Sequence, residues 1–281
     1  MKKRVLGYIY SDKNPGKDEK AFIKVAKRKG MEMIMFNLSK ELNEQDLEEK
    51  ANKCDIIFNN SGEDFAFEII KTFEELGKKV IESSKSLYYP EDKWVFYMEC
   101  KRNNIPVPET MLLSENIFLA KKELNHFGHW PVILKRVSGT WGQYVEKAEN
   151  IKEAEAIINK FWGKTKEKLP IIAQQFIRSP SYRVTLVNGE IVQTALKENK
   201  GWKSTGVYEK SFKKFIVDKN LGKIVKKLAK ITNIKVLGVD LLKNEGDWIV
   251  LEVNSTPAFD FFEDEREMLA EKIIDYLKTQ I

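Results

Sequence analysis

The chain has 281 residues, of which 42% are hydrophobic and 32% charged, with a formal net charge of +6. This length and composition are typical of a soluble globular protein with a sizeable core divided among two or three sub-domains. Lysines interleaved with acids argue against a dedicated nucleic-acid surface, and no apolar run approaches the roughly 20 residues of a membrane span.

Strands and helices alternate in the first part of the chain. Strands are predicted at 5–10, 31–36, 55–59 and 80–81, and helices at 18–29 and 63–76. Short crossovers of this kind predict a parallel sheet, and no glycine fingerprint for a dinucleotide follows the first strand. The apolar run 5–10 is too short for a signal-peptide core, so we expect a cytoplasmic protein.

A second unit follows a helix that is predicted to run from after Ser83 to about Arg102. The segment 105–108 contains two prolines and predicts an extended connection. Beyond it the pattern predicts helices and strands of a small mixed unit: helices at 114–127 and 151–162, and strands at 131–135, 143–147 and 169–176.

The third unit is predicted to be mostly antiparallel. The turn Asn188-Gly189 joins strands at 182–187 and 190–197, and it is a strong hairpin signal. A helix at 218–231 precedes a last hairpin, which folds about the polar turn 245–247.

This last hairpin carries three side chains with oxygen ligands, Asp240, Glu252 and Asn254. Asp240 is expected opposite Glu252, and alternation places Asn254 on the same face, with Leu251 and Val253 on the other. Crowded carboxylates repel each other unless a cation lies between them, and hard oxygen ligands suit magnesium bound to phosphates. We therefore predict a metal–nucleotide site here. The alternative is an edge strand whose acids face water.

A lysine and a glycine-containing loop follow one strand of the second unit. Lys135 ends the strand, and backbone amides of the loop can cover phosphate, which requires glycine for close approach. The predicted loop residues are Ser138, Gly139, Thr140 and Gly142. An ordinary hairpin turn is the alternative interpretation.

The strand end Gln174, Gln175, Phe176 and Ile177 is predicted to be a hinge whose backbone and amide groups read an adenine edge in an apolar slot. Taken by itself, the segment is equally typical of a plain strand end.

Neither the cysteines nor the histidines form a catalytic pattern. Cys54 and Cys100 have no paired spacing for a disulfide or a zinc site, and His126 and His129 have no motif that supplies a nucleophile.

Taken in chain order, these segments resemble the ATP-grasp fold, most closely the group of the ribosomal-protein S6 glutamate ligase and the lysine-biosynthesis carrier-protein ligases. The sequences 238–242 and 251–255 match the metal motif without a gap. Asp92-Lys93 is similar to a pair whose lysine holds the nucleotide, and 131–142 is similar to the strand, phosphate lysine and flexible loop.

The resemblance implies an α/β (α+β) fold in three domains. These are an N-terminal parallel-sheet domain on the substrate side (1–88), a linker helix with a small central α+β domain (89–176), and a C-terminal antiparallel-sheet domain with the metal site (177–281).

The chain departs from the family pattern at several positions. Gln175 stands where the family often has glutamate, and Ser181 stands for the aspartate that contacts the nucleotide. Lys203 and Thr205 replace the arginine and asparagine of Phe-Arg-Ser-Asn, and lysine lacks the bidentate fork of arginine.

Beyond the metal motif, Ala258 replaces a glycine that meets substrate in relatives. Together with Phe259, Phe261 and Phe262 it indicates an altered acceptor pocket, although a packed helix start explains the phenylalanines equally well.

The function implied is an ADP-forming, ATP-dependent carboxylate–amine ligase that activates a carboxylate as an acylphosphate. Lys93 and Lys135 would bind the phosphates, and Arg183 would stabilise the acylphosphate and the oxyanion, with a surface salt bridge as its alternative role. Lys203 and Lys210 are the other catalytic candidates, and with Arg183 they predict a positive cleft mouth with no balancing acidic cluster.

The implied cofactors and partners are ATP with two magnesium ions, manganese being an alternative, and small-molecule or peptide carboxylates and amines, expected to be anionic. A homo-oligomer is left open, and no membrane or dedicated nucleic-acid partner is expected. The rival functions are an ATP-grasp kinase, a non-catalytic nucleotide-binding module and, last, a basic nucleic-acid binder.

Overall fold

The computed structural model describes residues 3–139, 143–163, 167–197, 201–203, 211–259 and 261–281. Within these ranges the strands form one parallel sheet and two antiparallel sheets.

The first sheet has four parallel strands in the order β2-β1-β3-β4. Its strands are largely buried, as in parallel sheets that helices cover on both faces. The predicted N-terminal parallel sheet is confirmed. The strands are β1 (Arg4–Tyr10), β2 (Met31–Asn37), β3 (Ile56–Asn59) and β4 (Val80–Ile81).

Three helices connect these strands, and the sequence predicted only two of them. They are α1 (Lys17–Arg28), α2 (Glu44–Lys53) and α3 (Asp64–Glu75). The prediction omitted α2 because this helix buries only Leu47 and Ala51, too few apolar positions to give a helical period.

The single helix predicted to end near Arg102 is in fact two helices, α4 (Tyr88–Glu91) and α5 (Lys93–Arg102). They divide at Asp92, whose backbone is extended and whose carboxylate accepts a hydrogen bond from the Val95 amide at 2.8 Å. Asp92 is therefore the N-cap of a second helix.

The second sheet has the order β5-β8-β6-β7 and lies under two helices. Its first strand was not predicted, because it has only three residues and follows two prolines. The elements are β5 (Thr110–Leu112), α6 (Ile117–Phe127), β6 (Val132–Arg136), β7 (Val145–Ala148), α7 (Ile151–Trp162) and β8 (Ile171–Gln175).

The third sheet is antiparallel, in the order β11-β10-β9-β12-β13. Asn188-Gly189 and Glu245-Gly246 both have positive φ angles, as tight hairpin turns require. The elements are β9 (Ser181–Val187), β10 (Glu190–Lys197), β11 (Phe212–Lys213), α8 (Lys219–Thr232), β12 (Val236–Asn244) and β13 (Asp247–Asn254).

A last helix, α9 (Arg266–Lys278), follows a 3-10 turn at Glu263–Glu265 and returns the chain to the first sheet. Its acidic side faces the basic side of α1 across ion pairs such as Lys24 with Glu267 and Arg28 with Glu271. The sequence did not predict this helix as an element.

Buried side chains form separate cores. The core of the second sheet is drawn entirely from residues 111–173, whereas another core joins the first sheet to α9 and to ends of β9 and β12. Helix α5 packs with the third sheet through Phe96 and Cys100. The domain bounds 1–88, 89–176 and 177–281 stay a prediction. Across the described ranges, no helix combines the length and apolarity that crossing a membrane requires.

Candidate active site

A cavity of about 820 Å³ lies where the three sheets meet. It brings together residues that lie far apart in the sequence, including nearly all predicted site residues that the structure describes. Those lining it are Lys93, Lys135, Gly139, Gln174, Gln175, Phe176, Ile177, Ser181, Arg183, Lys203, Asp240, Glu252 and Asn254. Ser138 is exposed beside the cavity. Thr140, Gly142, Thr205 and Lys210 lie outside the described residues.

Asp240 is the centre of a buried ionic cluster on the cleft side of β12. Arg183, its neighbour on β9, donates from Nε to Oδ1 at 2.8 Å and from Nη2 to Oδ2 at 2.6 Å. The Lys197 Nζ lies 3.3 Å from Oδ1, and the Asn254 Nδ2 lies 3.2 Å from Oδ2. Both carboxylate oxygens of Asp240 are therefore engaged.

These contacts revise the interpretation of Arg183. With 7% of its surface exposed, Arg183 makes a buried bidentate pair, so the alternative of a surface salt bridge is wrong. The guanidinium lies over Gly238, where an added Cβ would stand 2.7 Å from Nη1 and 2.8 Å from the Pro257 Cβ. The absence of a side chain at Gly238 thus makes room for the pair.

The sequence did not indicate Lys197. Its side chain is 3% exposed and points into the cleft from the end of β10, with Nζ 5.4 Å from the centre of the Phe261 ring. Lys197 ends its strand much as Lys135 does, but β10 also contains Glu190, Gln193 and Thr194, so the sequence pattern did not mark this lysine. A buried lysine needs a partner, and Asp240 is that partner.

Opposed effects set the protonation of this cluster. Burial by itself would raise the pKa of Asp240, but the adjacent Arg183 and Lys197 cations outweigh it and hold the pKa below its ordinary value. Burial lowers the pKa of Lys197, and Asp240 opposes that shift. Asp240 is therefore an anion held between two cations.

The other two predicted metal ligands lie on β13. Glu252 is directly opposite Asp240 and Asn254 is opposite Gly238, which confirms the predicted register. Although β13 is an edge strand, Asp240 is buried and all three side chains line the cavity, so the alternative of acids that merely face water is wrong.

One part of the hairpin prediction is wrong. The pairing shifts between Asp240 and Leu241, so that Leu241 lies opposite Val250 and Leu251 is the extra residue of a β-bulge. Leu251 therefore lines the cavity beside Glu252, although strict alternation predicted it on the opposite face of the strand. Val253 lies in the buried core of the third sheet, as predicted.

The side chains of Asp240, Glu252 and Asn254 are chemically suited to bind the predicted magnesium ion. Two carboxylates and an amide suit a hard divalent cation. Among the described residues the Glu252 carboxylate has no hydrogen-bond partner or ion pair, and Asp240 is directly across from it. Asp240, in contrast, already holds two cations, so a metal ion would have to share or displace them.

Lys135 and Lys93 approach the cleft from the second sheet and from α5. Lys135 is 6% exposed, and burial lowers its pKa to about 8 despite the opposing effect of Glu252. The Lys93 Nζ donates to the Gly139 carbonyl at 2.8 Å, which ties the start of α5 to the loop after β6. Both ammonium groups thus flank the cavity near the predicted phosphate loop.

The predicted adenine hinge leaves β8 between the second and third sheets. The Gln174 amide donates to Thr110 Oγ1 at 3.1 Å, so this side chain is fixed within the second sheet. Phe176 lies under the Lys147 ammonium at 5.1 Å, and Ile177 is buried. These apolar groups and the strand-end backbone form the wall of a slot.

The opposite wall belongs to the first sheet, which was predicted to lie on the substrate side, although none of its residues was predicted as part of the site. It consists of loops at the carboxyl ends of β1 and β3, where α/β sheets commonly bind ligands. Ser11, Asp12, Ser61 and Gly62 line it, and the Gly62 Cα faces Thr256 from the third sheet.

The predicted positive mouth is not supported in its original form. Arg183 is paired with Asp240, Lys210 lies outside the described residues, and Lys203 remains a cavity-lining lysine. The described lining holds seven basic and seven acidic side chains, so a balancing acidic set is present.

The aromatic residues after the metal motif serve both suggested roles. Phe259 fills the packing role: it is 2% exposed and packs on Phe22 of α1 with ring centres 5.9 Å apart, in the segment that leads to α9. Phe261 lines the cavity beneath Arg183 and Lys197. The exposed Ala258 also lines the cavity.

Residues 90–277 match the family model described as the RimK-like ATP-grasp domain. A probable alpha-L-glutamate ligase of Rhodopirellula baltica is 27% identical over 223 residues, which is 77% of this chain and 54% of that protein. This chain therefore matches about half the length of that relative.

A coenzyme gamma-F420-2:alpha-L-glutamate ligase of Methanococcus maripaludis is 25% identical over 227 residues, covering 76% of this chain and 77% of that one. Among solved structures, a RimK domain ATP-grasp protein of Sphaerobacter thermophilus superposes with a TM-score of 0.75 at 16% identity, covering 97% of this chain and 99% of that one.

Proposed function

Because the chain belongs to the RimK-like ATP-grasp family, we propose that it is an ADP-forming ligase that joins a carboxylate to an amine at the expense of ATP. ATP and magnesium are the cofactors of this family. The relatives named above are glutamate ligases, which favours an acid–amino-acid ligase over a kinase.

One observation carries the proposal. A single cavity holds Lys135 and Lys93 from one side and the Arg183–Asp240–Glu252 group from the other. Although the whole lining is balanced in charge, this group contains four cations, Lys93, Lys135, Arg183 and Lys197, and two carboxylates. The local excess complements the negative charge that Mg–ATP retains.

In the first step, Lys93 and Lys135 hold the phosphates and the β8 strand end holds the adenine. Asp240, Glu252 and the amide oxygen of Asn254 would hold magnesium, which would supply positive charge to neutralise the phosphates. A substrate carboxylate oxygen attacks the γ-phosphorus, the bond to ADP breaks, and an acylphosphate results.

In the second step, an amine attacks the acyl carbon and inorganic phosphate leaves, while the amine loses a proton. Arg183 lines the cavity, and its guanidinium, held by two hydrogen bonds to Asp240, is the group proposed to face the carbonyl oxygen as that oxygen gains charge. A preorganised donor of this kind stabilises an oxyanion without reorganisation. Lys203 and Lys210 remain candidates for binding the substrate.

We further propose the number of metal ions, the charge of the two substrates and the location of the enzyme. Two facing carboxylates suit two magnesium ions, for which manganese can substitute. Lys203 in the cavity lining favours an anionic carboxylate substrate, and the acidic groups Asp12 and Glu63 on the first-sheet wall favour its amine partner. We place the enzyme in the cytoplasm, where ATP is available.

The test is a panel of amino acids and metabolites incubated with ATP, magnesium and hydroxylamine. Hydroxylamine captures an acylphosphate as a hydroxamate, so the product identifies the activated carboxylate. We expect hydroxamate and phosphate in equal amounts. A stable phosphate ester without hydroxamate would show a kinase, and ATP binding without turnover across the panel would favour a binding module.

A further inference from the structure

Lys197 is the lysine of the ionic cluster, and beyond its positive charge the proposed ligase mechanism gives it no step of its own. Its Nζ lies 3.3 Å from Asp240 Oδ1, close to where a metal ion bound to that oxygen would stand. The ammonium and the metal are both cations and compete for the same lone pairs.

The two cations on Asp240 are not held equally. Arg183 engages both oxygens through a bidentate fork at 2.8 and 2.6 Å, and its guanidinium lies directly over Gly238. Lys197 makes one longer contact through a flexible stem. Lys197 is therefore the cation that a metal would displace.

The ammonium has a second attractive contact that does not depend on Asp240. While Nζ is paired with Asp240, it also lies 5.4 Å from the centre of the Phe261 ring, and an aromatic face attracts a cation. Because Phe261 lines the cavity, an ammonium that loses Asp240 keeps a favourable contact within the site.

We propose that Lys197 stands in for the metal ion in the nucleotide-free protein: its ammonium neutralises Asp240 until a divalent cation replaces it, and it then turns to the anionic reacting group. This inference rests on the proposed function for the identity of the site. It makes Lys197 a residue that couples metal loading to charge in the substrate pocket.

The experiment measures Mn²⁺ binding to the nucleotide-free protein by the electron paramagnetic resonance signal of free Mn²⁺. The variant Lys197→Met removes the competing charge and keeps the apolar stem, and Arg183 remains to pair Asp240. We expect Mn²⁺ to bind Lys197→Met about tenfold or more tightly than the wild type, because a unit charge near the ligand is removed.

Three further variants sharpen the result. Lys230→Met changes an exposed lysine of α8 and should bind Mn²⁺ as the wild type does. Lys197→Gln should show the same gain if Lys197→Met does not fold. Adding Asp240→Asn to Lys197→Met should abolish the gain, since the competition is for that carboxylate.

Unchanged or weaker Mn²⁺ binding in both Lys197 variants would overturn the inference, because a purely structural lysine would not hold back the metal. Binding of AMP-PNP and Mg²⁺ to the wild type, measured by calorimetry, tests the proposed nucleotide site independently. Its absence would overturn the proposed function, and an unchanged Mn²⁺ affinity alone would overturn only the role of Lys197.

Discussion

At the scale of single residues, the site depends on cations that the fold removes from water. Burial lowers the pKa of Lys135 from 10.5 to about 8, yet its proposed task of holding phosphate needs the protonated form. Between these values the unfolded lysine is charged and the folded one is neutral, so this group favours the folded state increasingly as pH rises through the window.

Nucleotide affinity, in contrast to this contribution to stability, should decrease as the pH rises. We predict that the affinity for AMP-PNP falls above pH 8 by up to about tenfold per pH unit, since binding then requires proton uptake. Calorimetry in buffers of different ionisation enthalpy measures both quantities. Lys135→Ala should bind weakly at every pH without this slope, and the same slope in that variant would assign the titration to another group.

Glu252 offers the sharpest separation of activity from stability. It is half-buried, and in the described structure its carboxylate has no hydrogen bond or ion pair, so Glu252→Gln should change the free energy of unfolding by only about 0.5 kcal/mol. Turnover in the hydroxamate assay should fall about a hundredfold or more, because a metal ligand is lost. Asp247→Asn, in the same hairpin, is the matched control; equal losses of stability and turnover in Glu252→Gln would indicate a structural role.

Residue-level prediction from the sequence succeeded where a local rule applied. Alternation and the hairpin turn placed Asp240, Glu252 and Asn254 correctly. The face of Leu251 was wrong because a bulge adds one residue to the count, and no composition signal marked it. Lys197 was missed because its partner, Asp240, is 43 residues away in sequence.

At the scale of elements, prediction was limited by the number of apolar positions for short or polar elements. The three-residue β5 and the polar α2, which buries only Leu47 and Ala51, were not found. Helix α9 was also not predicted, although its buried residues Leu269, Ile273 and Leu277 recur at a helical spacing. The position of α9 against α1 depends on a shared buried core, to which α1 contributes Phe22 and Val25 and α9 contributes Ile273. These residues lie far apart in sequence, so their contact leaves no local pattern.

One contact between elements has a testable pH dependence. The buried Glu82, just after β4, accepts hydrogen bonds through Oε1 from the Lys235 and Val236 amides at 2.8 and 2.7 Å, which fixes the start of β12. Burial raises the pKa of Glu82 from 4.5 to about 7, against the lowering effects of the two amides and of the Lys235 side chain; the Tyr276 hydroxyl also faces it.

The folded state therefore retains a proton that the unfolded state loses between pH 4.5 and about 7, and stability from this group falls as pH rises through that window. We predict that Glu82→Gln, which keeps the accepting oxygen, is more stable than the wild type by about 1–3 kcal/mol at pH 8 and about equal to it near pH 5. Urea unfolding at both pH values measures this. Parallel profiles for the two proteins would show that Glu82 does not titrate in the window.

At the scale of the whole molecule, the cores explain how the cleft can respond to ligand. The second sheet has a core of its own within residues 111–173, whereas the first sheet shares its core with α9 and the third sheet. The proposed nucleotide site takes Lys135 from the second sheet and Asp240 and Glu252 from the third. A ligand that contacts both would couple two otherwise separate cores.

We therefore predict a specific pattern of hydrogen exchange. Saturating AMP-PNP with Mg²⁺ should slow exchange in β6 and β8 together with β12 and β13, and should change the β1–β2 region least. At a ligand concentration one hundred times the dissociation constant, the gain in protection approaches about 2.7 kcal/mol in segments that open only by dissociating the ligand. Lys135→Ala should lose the effect in both sheets, because one anchor of the bridge is missing. Protection confined to the second sheet would mean that the nucleotide does not reach Asp240 and Glu252, and the assignment of the metal site would then be wrong.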